Sequence, residues 1–359
     1  MTDRTAPLTP TASTTGWSGF WFTPTPAAAL HRIRFLTGLV LCGWMLGFAG
    51  HPEAFFSLHG WFDRDAYIEI NRPDAPTPVP IAWSIFYLAG EDKVLFDTLY
   101  WCSLMVVVLF TLGIATRITG ILTWVATVSF LANPASSYDA DFLLNVLAFY
   151  LALGYLVHGF WSRRLTPLEW VLGPMDAFVF ARWLGQRRES TSAFSYSANI
   201  TLRLLQIHFA MIVVTSGLHK LQFASWWSGV ALWYPMHPPL TTTLDQLLQE
   251  QSGATVTLWF LSLIQYLALA WQIGFPAFAW RGGWWRVVLI GGAIAGWIGS
   301  FFLLGLPLFG PIYLIGCLSY LHADEWARVT DWFRARIGGG TSKPARAVGD
   351  PHRIRVTAK

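Results

Sequence analysis

The sequence predicts an all-α, polytopic integral membrane bundle of about eight transmembrane helices. Three observations carry that expectation. Charged residues make up 12% of the 359 positions and hydrophobic ones 54%, whereas soluble domains carry about 25% charge. The charges are segregated, since no Asp, Glu, Lys or Arg occurs in 35–52, 98–116, 118–138, 142–162, 204–219, 221–244, 251–280 or 287–323. Several of these stretches reach the roughly 20 residues that a helix needs to cross a hydrocarbon core of about 30 Å. Finally, the segments between them alternate in the sign of their charge.

The expected spans are 30–50, 94–114, 118–135, 142–160, 200–221, 256–279, 286–305 and 307–321. The last is the shortest. The apolar 79–90 piece is too short to cross and reads as interfacial or re-entrant. Sorting the loops by charge orients the set. Arg32 and Arg34 precede the first span, Arg117 lies between the second and third, and Arg163, Arg164, Arg182, Arg187 and Arg188 follow the fourth. Arg281 and Arg286 sit between the sixth and seventh. The opposite side carries the acidic 51–93 segment, then Asp139 and Asp141, then Asp245 and Glu250. Both termini are therefore expected in the cytoplasm, in a plasma or inner membrane. Trp17, Trp21, Trp161, Trp170, Trp280, Trp284 and Trp285 flank the basic side. Trp61, Trp226, Trp227 and Trp233 flank the acidic side, as rings with one apolar body and one polar N–H prefer.

Outside the spans, residues 1–29 are Thr- and Pro-rich without an apolar core, so they read as a disordered cytoplasmic segment and not as a cleavable signal. Residues 322–359 carry a basic excess and read as a disordered cytoplasmic tail. The 161–199 connection contains WVLGPMDAFVFARWLG, expected to lie on the membrane surface. The basic balance follows the sides of the bilayer, so the lipid bilayer is the expected partner and nucleic acid is not. Cys42, Cys102 and Cys317 sit in apolar runs and read as small hydrophobes. No metal-ligand spacing occurs.

Ionisable groups at membrane depth are expensive and mark candidate sites. The richest stretch is LRLLQIHFAMIVVTSGLHKLQFASWWSGVALWYPM. At helical spacing, Gln206 and Ser216 fall within about 40° of Lys220, and His208 and His219 share a neighbouring face. Lys220 is a base on the acidic side, where the charge rule offers no reason for one. A lysine among apolar groups can serve as a general base. Lys220 and His219 are thus the candidate catalytic residues. Gln206, His208, Ser216, Trp226 and Trp227 are candidate binding residues. Asp141 and Asn145, four apart at the start of the fourth span, join them because they belong to the same side. Gln265 and Gln272 read as helix–helix glue.

The run SGLHKLQFASWWSGVALW, with Gly217, Lys220, Leu221, Trp226 or Trp227 and Gly229, resembles the horizontally transferred transmembrane (HTTM) domain family. That family includes the vitamin K-dependent gamma-glutamyl carboxylase. Supporting matches are Asn133 and Asp141 in NPASSYDADFLL, Gly274, Phe275 and Pro276, and LGLPLFG before the last span. The resemblance covers about 30–321. It implies that Lys220 deprotonates vitamin K hydroquinone or another quinol at the outer face, in a carboxylase-like reaction. The chain departs from the family where Gln272 replaces a frequent Glu and Trp297 a frequent His. These departures point away from peptide carboxylation and set a second expectation beside the first, a non-catalytic membrane accessory protein on the same fold with an unidentified protein partner.

Overall fold

A computed structural model describes residues 16–58, 60–61, 69, 83–133, 139–160, 165–174, 178, 194–236 and 252–337. Up to Tyr320 they form one helical unit, and Leu321 onward forms a second. In chain order the first unit contains α1 (Trp17–Phe22), α2 (Ala28–Gly47), α3 (Pro52–Phe56), a 3-10 turn (Ile85–Ala89), α4 (Lys93–Leu112), α5 (Thr116–Leu131) and α6 (Asp139–Val157). It continues with α7 (Pro167–Leu172), α8 (Tyr196–Lys220), α9 (Ala224–Trp227), α10 (Trp233–Met236), α11 (Ser252–Phe278), α12 (Trp285–Leu304) and α13 (Phe309–Leu318). Two short strands, β1 (Thr25–Pro26) and β2 (Phe194–Ser195), pair antiparallel. The second unit holds α14 (Ala323–Ile337).

Six of the described helices are long and apolar enough to cross a membrane: α2, α4, α6, α8, α11 and α12. The other two expected spans are helical but shorter. α13 has 10 residues and α5 has 16, which at about 1.5 Å per residue gives roughly 15 and 24 Å. The expected count of eight is therefore not reached by length. Against the expected 118–135, α5 starts two residues early and ends four residues early, at Leu131.

Segments expected on one side of the bilayer do meet at one end of the bundle. At that end the Arg117 guanidinium, from the start of α5, donates to the His158 carbonyl beyond α6 at 2.9 Å and to the Trp170 carbonyl of α7. His158 in turn approaches Ser197 and Ser195 at the start of α8. The opposite end of α5 reaches the other set. Ser129 accepts from the Ile85 amide at 3.0 Å, and Asn133 donates to the Phe55 carbonyl. There the buried Phe130 ring meets Phe56 at 4.4 Å, Phe86 at 5.3 Å, Trp44 at 5.5 Å and Tyr100 at 5.7 Å. Each such pair adds roughly 0.5–1.5 kcal/mol beyond burial.

Between membrane helices the drive is close packing more than the hydrophobic effect. Gly38 of α2 shows it: a Cβ there would stand 2.1 Å from the Thr111 hydroxyl of α4. Tight packing is confined to part of the bundle. In the apolar stretch of α6, 56% of residues are buried, against 17% in α11 and in α12.

Two expectations change outside the spans. Residues 16–29 are ordered: Asn199 of α8 donates to the carbonyls of Phe20 and Trp21 at 3.0 and 2.8 Å, and the Arg203 guanidinium lies 4.5 Å from the Phe20 ring. Residues 323–337 of the expected disordered tail are helical. Of the 79–90 piece, 85–89 form the 3-10 turn. Residues 1–15, the tail from 338, about half of the 51–93 connection and most of the 161–199 connection, including most of the WVLGPMDAFVFARWLG stretch, lie outside the described residues.

Candidate functional site

α8 and α11 run antiparallel, and their register sets the position of Lys220. Phe209 packs on Phe275 at 5.5 Å between ring centroids. Further along, Gly217 lies against Gln272, where a Cβ on Gly217 would come within 3.0 Å of the Gln272 Cβ. Gln272 is six residues from Phe278, about 9 Å from the end of α11. Lys220 stands one turn beyond that level. Lys220 is the last residue of α8, at the end of its span as the sequence led one to expect, and it stands beside α11 part-way along that helix.

The chain does not turn away at that point. It continues beside α11 as an unwound segment, 221–232, containing only the one-turn α9. Backbone polar groups outside a regular helix need partners, and α11 supplies them from one face. Ser262 donates to the Gly229 carbonyl at 2.7 Å and Tyr266 to the Trp227 carbonyl at 2.7 Å. The Gln265 amide donates to the Trp226 carbonyl at 2.7 Å and accepts from the Ala231 amide at 2.9 Å. Gly229 is held at φ 80, and a Cβ there would meet the Ser262 hydroxyl at 2.8 Å, so glycine is required twice over. Gln265 is fully buried. Its expected role as glue between helices gives way to that of a clamp on the unwound chain.

Lys220 is half-buried. Its Nζ donates to the Ser216 hydroxyl at 3.1 Å and to Gln272 Oε1 at 2.8 Å, and it lies 5.4 Å from the centroid of the Trp226 ring. Two of these partners, Ser216 and Trp226, were expected from the sequence. Gln272 joins them in place of its expected gluing role, because Gly217 lets α11 come close. The cation also sits in the last turn of α8, where the helix dipole favours positive charge. The flank around it is apolar and open: Leu218, Phe223 and Trp227 are exposed. Trp227 Nε1 caps the Leu221 carbonyl at 2.6 Å while its ring faces outward.

The remaining candidates separate from this cluster. Gln206 is 14 residues before Lys220, about 21 Å along α8. Its amide is spent elsewhere, accepting from Arg203 at 3.0 Å and donating to the Ser319 carbonyl at 2.7 Å. His208 Nδ1 and the Tyr150 hydroxyl of α6 are 3.0 Å apart. His219 is exposed and lies edge-on to Phe223 at 5.3 Å. Asp141 is buried near the start of α6, and Asn145 Oδ1, one turn on, is buried without a hydrogen-bond partner among the described residues. Trp297 packs on α13, where a Cβ on Gly310 would meet its ring at 2.1 Å.

Sequence reading missed a second polar cluster. Arg34, expected to be a topology determinant, is 0% exposed. It donates to the Tyr155 hydroxyl at 3.3 Å and to the Thr111 carbonyl at 3.4 Å. His31 Nδ1 stands 2.6 Å from the same Tyr155 hydroxyl, and His158 lies edge-on to both rings. The usable signal was His31 and Arg34 one turn apart on a single helix face.

No protein-family model, no curated protein and no solved structure matches the chain.

Proposed function

We propose that this chain is a membrane-embedded enzyme that uses Lys220 as a general base on a lipophilic, weakly acidic hydroxyl compound of the quinol type. The observation that carries the reading is a half-buried lysine at the end of α8, followed by an irregular segment that packs on α11. Irregular backbone held against membrane helices is where membrane proteins build binding sites. A half-buried lysine on an open apolar flank meets a ligand arriving from the lipid and not from water.

The chemistry follows from the residues present. Ser216 and Gln272 offer neutral oxygens, so they orient the Lys220 nitrogen whether it is an amine or an ammonium. The amine takes the hydroxyl proton, and the resulting ammonium is held by the same two oxygens and by the Trp226 ring face. Trp226 and the exposed Trp227 ring supply aromatic faces suited to a quinol ring. Vitamin K hydroquinone or a related quinol would supply the oxidisable ring. Lys220 would hold its hydroxyl end, and the departures at Gln272 and Trp297 argue against a peptide as the carboxyl acceptor. This reading keeps the likeness to the HTTM family and the topology with both termini in the cytoplasm. The alternation of loop charge supports that topology, as does α5 joining both ends of the bundle.

One observation favours a second reading, a non-catalytic accessory protein. The position facing Lys220 is the neutral Gln272, and Trp297 is consumed in packing. Native mass spectrometry of the purified protein separates the two. A co-purifying quinol or similar lipophile that is lost in Lys220→Ala supports the enzyme. A ligand-free chain with a stoichiometric protein partner, unchanged in Lys220→Ala, overturns it.

A further inference from the structure

We propose that Gln265 is a positioning residue for the Lys220 site: it holds the unwound segment so that the Trp226 ring lies against the lysine nitrogen. The inference rests on reading Lys220 as the reactive group. Three observations lead to it.

The Trp226 ring has no regular helix behind it to fix its place. Its residue lies in α9, a single turn of four residues within irregular chain. Such a turn has no stability of its own, because helix nucleation is unfavourable. Something outside the segment must hold it.

Gln265 does this with both ends of one side chain. Nε2 donates to the Trp226 carbonyl at 2.7 Å and to the Ser225 carbonyl at 3.4 Å, while Oε1 accepts from the Ala231 amide at 2.9 Å. A carboxylate would lack the donor and an apolar residue would lack both functions. The bond to Trp226 is made on the backbone of the very residue whose ring stands 5.4 Å from Lys220 Nζ. The neighbours Ser262 and Tyr266 hold carbonyls further along, at Gly229 and Trp227. Ser262 also donates to the Leu258 carbonyl of its own helix at 2.8 Å, so its hold on the segment is shared.

Gln265 is fully buried. A buried amide with every function engaged gives one preferred arrangement of the segment, because each slip leaves a polar group unpaired. The ring is therefore placed by a residue that does not touch Lys220.

The test reads the environment of the lysine directly and needs no substrate. The chain has four lysines, 93, 220, 343 and 359, and the exposed Lys93 side chain is an internal reference. Purified protein in detergent is labelled with an apolar N-hydroxysuccinimide ester, and acylation of Lys220 relative to Lys93 is followed by peptide mass spectrometry. Trp226→Ala, which removes the ring, is expected to speed Lys220 labelling. Gln265→Met, close in shape and apolar, is expected to speed it by about fivefold, on the scale of one hydrogen bond's net contribution. The double variant should add nothing beyond Trp226→Ala alone, since coupled residues are not additive. Gln265→Glu, which keeps the acceptor for Ala231, should lie between wild type and Gln265→Met, and it stands in if Gln265→Met does not fold. Labelling unchanged in both Gln265 variants while Trp226→Ala alters it overturns the proposal, as does full additivity in the double variant. Loss of the base role would appear elsewhere, as a lipophile retained by Lys220→Ala, so the two failures are distinguishable.

Discussion

Arg34 and Lys220 are both cations on membrane-crossing helices, and the protein surrounds them in opposite ways. Arg34 is fully enclosed, near the end of the bundle where α2, α4 and α6 converge, and it bonds a main-chain carbonyl and a tyrosine that cannot leave. Lys220 is half-buried beside α11, one of the two least buried spans, and its described hydrogen bonds go to side chains. A guanidinium keeps its proton and offers a rigid fork, which suits a fixed structural joint. An ammonium on a flexible stem exchanges its proton and changes partners. The enclosed cation is built into the packing, while the half-open one is the group proposed above for the chemistry.

The sharpest way to break that contrast is Lys220→Ala. Removing a general base is expected to slow turnover of the co-purifying lipophile by about 10²–10⁴-fold. Thermal stability in detergent should fall by less than about 1 kcal/mol, as for other partly exposed positions. A large stability loss with intact turnover would place Lys220 with Arg34. Arg34→Leu should show the reverse pattern. It takes the donor from the Thr111 carbonyl and leaves the Tyr155 hydroxyl with His31, with an expected loss of about 2 kcal/mol measured by thermal unfolding in detergent.

Two glycines extend the comparison to packing. Gly38→Ala forces a methyl into the Thr111 side chain at 2.1 Å and is expected to cost about 1–3 kcal/mol. Gly296→Ala, on α12 with nothing within 4 Å of the added Cβ, should change stability by no more than about 0.5 kcal/mol, or raise it slightly through better helix propensity. Equal costs at the two positions would show that α12 is packed as tightly as α2, and the described difference in burial between the two regions would lose its meaning.

Much of the fold was legible because it depends on sums along the chain. Runs without charge mark the helices, and the sign of the loops predicts which ends meet, as Arg117, His158 and Ser195 do. Two spans came out shorter than expected, because composition marks apolar stretches but not where their helices stop: α5 ends at Leu131 and α13 at Leu318. The candidate site was legible in part. Lys220, Ser216 and Trp226 share one cluster, but Gln206 and His208 sit lower on α8 and bond α13 and α6. Helical phase put Gln206 on the lysine's face without counting the distance between them.

A helical membrane protein, loops that sort by charge and a lysine where the charge rule does not call for one can all be read along the chain. Those properties follow from local transfer energies, which each segment carries alone. The folded arrangement was needed to see that the chain beyond Lys220 packs on α11, that Arg34 is enclosed, and that Gln265 and Gln272 serve the unwound segment and the lysine. Each of these depends on groups dozens of residues apart being brought within hydrogen-bond reach. The approach is set by packing at a few small residues such as Gly217, which no local sum records.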